Sequence, residues 1–431
     1  LKTELNLTTN QLQILKKYNV VDAGALAFVI FIDGFINSVI NKDEVKIENN
    51  NNEIINNYDD LHNHDEINYR YCTEVLIETK LSNEDLKSKI NKFGDSLVVG
   101  SNEQFTKIHI HTSKPSLLIE EVSKYAKIVT TKVDDMINQY RISKNKNNDI
   151  CILTDSIADI SKSIIDEMGI QVFPISINVD GTIYYDKTTI KNNQLLKLIS
   201  KSETFPKTSS PNTLTVIEVL EYLKKYFKKI IVITVSSKMS STYNVFKNAK
   251  AYLKTEKIEI IDSKLNSVSQ GLLVLDASKQ IEQKVSFEDL VNNINRTIND
   301  TNILVRVKSL DNMVKGGRIS KGLGRIGKLI NLNPIVSIDN EGTGIVSSKV
   351  IGKKNSFNKI IKEFKKTYKK YGIRSYAITH VNNVKEAEKL KVALIKITNH
   401  KPEYVTEASS VIALNAGDGA VAVGFIKGVR K

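Results

Sequence analysis

The chain has 431 residues, 41% of them hydrophobic, which is enough for substantial cores in roughly two to four domains and excludes a disordered chain. Lys and Arg number 62 against 48 Asp and Glu, a net charge of +14, and the excess is mostly lysine. No aromatic-basic motif accompanies it, so it reads as a solvated surface rather than a nucleic-acid interface. Two cysteines, Cys72 and Cys151, exclude a disulfide framework and fit a reducing, cytoplasmic setting.

Residues 1–40 read as helical. Leu12, Leu15 and Val20 begin an apolar pattern that Val20-Val-Asp-Ala-Gly24 punctuates. Ala23 to Ile36 is the longest apolar stretch; it holds Asp33, is too short to span a bilayer, and is expected to be a buried helix. No signal peptide is visible, and the chain opens on Leu1 inside apparent domain sequence, so further residues are expected upstream. Residues 41–68 are Asn-rich and polar, a linker with too little apolar area to offset its ordering, and His62 and His64 within it read as solvated.

Residues 69–145 alternate as β-α-β-β-α-β, the ferredoxin-like pattern. Tyr71 to Ile77 is the first strand; Ser82 is placed to cap the first helix, and Pro115 to open the second, which runs to Tyr125. In Ile108-His-Ile-His111 the strand period sends His109 and His111 to one face, and Cys72 sits on another strand. One Cys and two His suit zinc with a fourth position open. Two solvent-facing histidines explain the spacing as well, since no Cys-x-x-Cys accompanies them.

Asn145-Lys-Asn-Asn148 reads as a polar hinge, beyond which strands and helices alternate as an α/β unit of two lobes with a cleft between them. Val172 to Val179 is expected to be one strand, and the C-terminal tail a Gly-rich hairpin. Three hydroxyl-rich turns stand out: Thr154-Asp-Ser156 after the first strand, Thr208-Ser-Ser-Pro211 before a helix, and Ser236 to Thr242 between the strand 230–235 and the next helix. A helix start offers unpaired N–H groups and a positive dipole end, so hydroxyls there suit a carboxylate or phosphate. Capping explains any one of these serines alone. His380 at a strand end has no identifiable acidic partner, which leaves a Ser-His-Asp triad unsupported. Gly322-x-Gly324-x-x-Gly327 lacks a preceding strand, and Gly322-x-x-x-x-Gly327-Lys328 continues with Leu329 rather than Ser or Thr, so neither phosphate-binding motif is complete. Arg318 nearby is a fixed cation able to pair with a carboxylate or phosphate.

Thr154-Asp-Ser-x-x-Asp159, Thr208-Ser-Ser-Pro211, Ser236-Ser-Lys-Met-Ser-Ser-Thr-Tyr243, Gly316-Gly-Arg-Ile319 and Asn415-Ala-Gly-Asp-Gly419 together resemble the DegV fatty-acid-binding family over residues 150–431. Val20-Val-Asp-Ala-Gly24 resembles the end of the DhaL-like nucleotide-binding helical domain of the catalytic component of fatty acid kinase. Tyr71-Cys-Thr-Glu74, Gly94-Asp-Ser-Leu-Val-Val99 and Ile108-His-Ile-His-Thr112 resemble its middle domain. The resemblance implies a two-lobed DegV (EDD) α/β fold preceded by a small α+β ferredoxin-like middle domain, with zinc on Cys72, His109 and His111. It implies a long-chain fatty acid in an apolar tunnel, its carboxylate held by Thr208, Ser209 and Ser240, with Ser241, Thr242, Asp155, Ser156 and Asn415 also binding the ligand and Arg318 close to the head group or the kinase interface. That carboxylate would be presented to a kinase nucleotide-binding domain, in the same full-length chain or separate, which makes an acyl phosphate.

ATP and magnesium enter only through that domain. Its front, with the Asp ligands for magnesium, is absent from these residues, so this chain alone is not expected to phosphorylate anything. The chain departs from the family twice: Ser241 stands where glycine is usual, and Asn415 replaces a carboxylate-contacting His with a group that cannot be cationic. Two other readings are a small-molecule kinase or phosphatase acting at the hydroxyl turns, and a nucleic-acid-binding regulator resting on charge alone. No nucleic-acid partner is expected; a transient contact with an anionic membrane surface and a homodimer both stay open.

Overall fold

The structure is a computed structural model that describes residues 1–11, 15–16, 21–41, 67–144, 149–319 and 332–428. It divides into two compact units, residues 1–68 and 69–431. In the first, Asp22 accepts from the Ala25 N–H at 2.7 Å and so caps the helix Ala23–Asn41. This helix is longer than the sequence suggested, and it is exposed where burial was expected: Phe31 is 67% and Ile40 70% accessible. By length and composition alone it is sufficient to cross a membrane. The linker histidines, the 145–148 hinge and the glycine motifs of 322–328 lie outside the described residues.

The second unit opens with β1 (Tyr71–Glu78), β2 (Asp95–Ser101), β3 (Thr106–Thr112) and β4 (Lys127–Asp135), joined through helices Asn83–Ile90 and Pro115–Val122. The sheet order β2-β3-β1-β4, antiparallel throughout, is that of a ferredoxin-like fold. Val75, Ile77, Ile108 and Ile110 point into its core, and the alternate residues Cys72, His109 and His111 stand on the open face. Ser82 caps the first helix as expected, accepting from the Asp85 N–H at 3.1 Å.

This domain packs directly on the one that follows. One apolar core runs from Val75 and Leu118 into Leu153, Phe173, Ile177 and Val411 of the following domain. Arg70 grips Asp166 with two N–H groups at 2.7 and 2.8 Å and donates from Nε to Asp135 at 2.9 Å. Burial works against the Arg70 charge, but the hydrogen bonds from Asp166 and Asp135 outweigh it and hold its pKa above the ordinary value.

The first lobe beyond contains β5 (Ile150–Asp155), β6 (Gln171–Phe173), β7 (Ser176–Val179), β8 (Thr182–Tyr185), β9 (Lys207–Ser209), β10 (Lys229–Thr234) and β11 (Ile258–Asp262). Four of these strands form a parallel sheet in the order β11-β10-β5-β6, and three a small antiparallel sheet, β8-β7-β9. The single strand expected over 172–179 is two strands in different sheets. Pro174 lies between them and has no N–H to continue a ladder.

The second lobe is a six-stranded sheet, β14-β13-β12-β17-β15-β16, built from β12 (Thr301–Arg306), β13 (Ile335–Ile338), β14 (Gly344–Ser348), β15 (Ile373–His380), β16 (Val405–Glu407) and β17 (Val421–Lys427). The tail is not the expected hairpin: helix Ser410–Ala416 leads into β17, a buried central strand between β12 and β15.

Helix Ser267–Glu282 is shared by the two lobes. Leu273, Val274 and Ala277 pack on Ile152, Ile231 and Ile233 of the parallel sheet, and Val268, Leu272 and Leu275 on Ile303, Ala422 and Ile426 of the other. Covered on two faces, it is buried throughout its first turns, the polar Ser267, Ser269 and Gln270 included. Gly424 permits its close approach: a Cβ there would stand 2.8 Å from the Ser269 backbone nitrogen. Gly424→Ala is therefore expected to lower the unfolding free energy by about 2 kcal/mol through overpacking, read as a lower urea midpoint at unchanged slope.

Candidate functional site

The lobes enclose a cavity of about 130 Å³ between the loops that follow β5 and β10 and the inner face of the six-stranded sheet. Its walls are mostly apolar: Ile157, Ile175 and Val235 from the first lobe, and Ile303, Val305, Val336, Ile338 and Val421 from the second. Thr208, Ser209, Ser210, Ser240, Ser241, Arg318 and Asn415 also line it. Hydrogen bonds tie several of these polar residues together. Arg318 Nη2 donates to Thr208 Oγ1 at 3.3 Å, Nε to the Met239 carbonyl at 3.2 Å, and Nη1 to Gly316 O. The Ser210 and Ser241 hydroxyls are 2.5 Å apart, and those of Ser240 and Thr242 are 2.8 Å apart.

Asn415 donates to Val411 O at 2.8 Å, while its Oδ1 is buried without a partner over Gly316, where a Cβ would collide with it. Arg318 is half-buried, burial depresses its pKa, and no ion pair is formed with any Asp or Glu among the described residues. A guanidinium stripped of part of its water and denied an acid is a ready partner for an anion.

Asp155, Ser156 and Thr242, expected beside a ligand, do not line the cavity. Thr242 is buried and turns its hydroxyl to Ser240. Asp155 accepts from the N–H groups of Val235 at 2.7 Å and Ile157 at 3.1 Å and from the Gln270 side chain at 3.2 Å. Ser156 donates to Asp186 at 2.6 Å. They belong to a buried polar network behind the wall. In it Asp159 accepts from Ser267 Oγ at 2.5 Å and the Ser409 N–H at 2.7 Å, and Asp186 from the Ser410 N–H at 2.7 Å. Burial pushes both Asp155 and Asp159 up to about 6, against the pull of their hydrogen bonds and of Lys187, and raises Asp186 as well. His380 lines the cavity, and burial lowers its pKa.

A separate cluster stands on the middle-domain sheet. One ligand atom from each of Cys72, His109 and His111 can be chosen so that all three lie within 4.8 Å of one another, with Cys72 Sγ 3.8 Å from His109 Nδ1. Burial first, then Asp134 and Glu74, raise the Cys72 pKa. One sulfur and two imidazole nitrogens so gathered match the donor set of a tetrahedral zinc site with one position open.

Residues 149–428 match the model of the DegV family of uncharacterised proteins. The chain belongs to the DegV family. Residues 68–143 match the model of the middle domain of fatty-acid-kinase-like proteins. A DegV domain-containing protein of Caldanaerobacter subterraneus is 31% identical over 276 residues, 64% of this chain and 98% of that protein. A fatty-acid-binding DegV family protein of Streptococcus agalactiae superposes with a TM-score of 0.59 at 26% identity, covering 65% of this chain and 99% of that one. One of Thermus thermophilus, described by its fatty acid binding, gives 0.60 at 22% identity over 64% of this chain and 99% of its own. The DegV fold and its preceding middle domain thus agree with the sequence reading.

The buried acids of the DegV domain set a pH dependence. Asp155 and Asp159 titrate near 6 when folded and near 3.9 when unfolded, so folding takes up protons between these values. Their contribution favours the folded state at low pH and is lost as pH rises through 6. His380, lowered by burial, acts in the opposite sense. The urea midpoint of wild type is expected to gain more, or lose less, between pH 7.5 and pH 5 than that of Asp159→Asn, in which His380 still acts.

Proposed function

We propose that the cavity binds a long-chain fatty acid, with its carboxylate on Arg318 and the hydroxyls of Thr208, Ser209 and Ser240, and presents that carboxylate to a kinase domain for conversion to an acyl phosphate. The observation that carries this is Arg318: a half-buried cation with no acid partner among the described residues, at the polar cluster of a mostly apolar cavity. Solved relatives named for fatty acid binding support the ligand class, and the fatty acid kinase-like middle domain supports the coupling to a kinase. Each buried methylene contributes about 0.8 kcal/mol, so the apolar walls set affinity while the polar cluster fixes which end faces out.

In this reading Cys72, His109 and His111 hold zinc. Cys72 and His111 are directly paired across β1 and β3, so a bound ion would cross-link the two strands and require Cys72 as thiolate. One zinc per chain is expected by elemental analysis, and Cys72→Ser is expected to lose it and to lower Tm.

Arg318→Met is expected to weaken fatty acid binding by about tenfold or more, the scale of a charge-assisted hydrogen bond, in displacement of a fluorescent fatty acid from the full chain. An unchanged Kd would show that the cation does not hold the head group.

A further inference from the structure

At about 130 Å³ the cavity is smaller than the roughly 300–1,000 Å³ of small-molecule pockets. An extended acyl chain therefore enters only as a wall gives way. Most walls are fixed. The loops after β5 and β10 are tied to Asp155, and β17 lies mid-sheet with Gly424 against the shared helix. One further wall, residues 408–416, shares an apolar core with the middle domain; Ala408, Val411, Ile412, Asn415 and Ala416 line the cavity, and the start of the segment is tied to Asp159 and Asp186 through the Ser409 and Ser410 N–H groups. It is a short linker and a seven-residue helix followed by Gly417 and Gly419, both at positive φ (78° and 79°), which glycine adopts without strain.

We propose that the middle domain is the clamp on this wall, acting through Asn192 and Gln194 as positioning residues, so that acyl chains exchange only when the clamp loosens. This rests on the reading of the cavity as a fatty acid site. Helix Asn192–Ile199 lies between the wall and the middle domain. On the wall side, the buried Asn192 donates to Ala408 O at 2.8 Å, and Leu196 packs on Ala413 and Ala416. On the other side, Gln194, 7% exposed, donates to the middle domain's Ser116 O at 2.9 Å and Glu120 Oε2 at 2.7 Å. Its Oε1 accepts from the Lys191 N–H at 2.9 Å, so the side chain is used at both ends and has one orientation. Val411 and Leu414 of the wall sit in the apolar core that continues to Leu118 and Ile119 of the middle domain. For the wall to swing outward, this core has to part and the Ser116 carbonyl has to lose its buried donor.

The test is the dissociation rate of cis-parinaric acid from the full chain, chased with oleate in a stopped-flow instrument. Gln194→Met keeps the length of the side chain and removes its hydrogen bonds; it is expected to raise koff by about tenfold or more, with kon rising alongside. Glu120→Gln retains an acceptor and is expected to match wild type. Arg70→Met loosens the same domain contact without touching the cavity and is expected to raise koff as well, so the effect does not depend on one variant folding. If wild type binds and both Gln194→Met and Arg70→Met release at the wild-type rate, the clamp is overturned and the binding function stands. If wild type takes up neither parinaric acid nor oleate, the fatty acid reading fails and the clamp with it.

Discussion

Asp155, Asp159 and Asp186 are each at most 1% exposed, and each accepts a backbone N–H from a distant segment that borders the cavity: Val235, Ser409 and Ser410. A carboxylate is the strongest acceptor available for such groups, and a buried N–H without one is costly. The three acids therefore decide where the loop after β10 and the start of the 408–416 wall can stand. Among the described residues Lys187 alone forms an ion pair with them, 3.7 Å from Asp159, and burial raises the pKa of all three. The site thus stands on a buried network whose hydrogen bonds set the position of each loop.

The shared helix adds the second constraint. Its two apolar faces are committed to different sheets, so the lobes cannot separate without exposing one of them. The hollow between the lobes is left at the N-terminal end of this helix, where Asn266 and Ser267 line the cavity and Ser267 reaches Asp159. Ligand access accordingly falls to smaller pieces of the wall rather than to hinge motion between lobes.

Much of this was legible in the residues. Period-two alternation gave the middle-domain strands and put His109 and His111 on one face, and the structure brings Cys72 to them through the β1–β3 register. The hydroxyl turns at 208–210 and 240–241 do meet at one cavity. What was hidden is long-range pairing. Nothing local marks Gln194 as the partner of Ser116, or Arg70 as the partner of Asp166, across 78 and 96 residues. Asp155 and Ser156 carried a real signal with the wrong meaning: polar residues at a strand end suit a ligand, but here they accept and donate within the protein. The tail misled because its glycines suggest a hairpin, whereas Gly424 serves a close helix–strand contact. The helix Ala23–Asn41 shows that an apolar run fixes conformation more firmly than it fixes burial.

The polar cluster itself divides into groups that need a ligand and groups that do not. In each of the Ser210–Ser241 and Ser240–Thr242 pairs one hydroxyl donates to the other, and the accepting hydroxyl keeps its own O–H to offer a ligand. Arg318 differs: its hydrogen bonds go to carbonyls and a hydroxyl, none of which neutralises it, and burial has already removed part of its water. A carboxylate arriving there replaces solvation that folding took away, and the interaction is strengthened by the apolar walls around it. Asn415 Oδ1 is the other unmet group, and it is an acceptor, so it offers an anion nothing. In the proposed reading the guanidinium supplies the charge and the hydroxyls the remaining donors, and the serine in place of glycine at 241 pairs with Ser210.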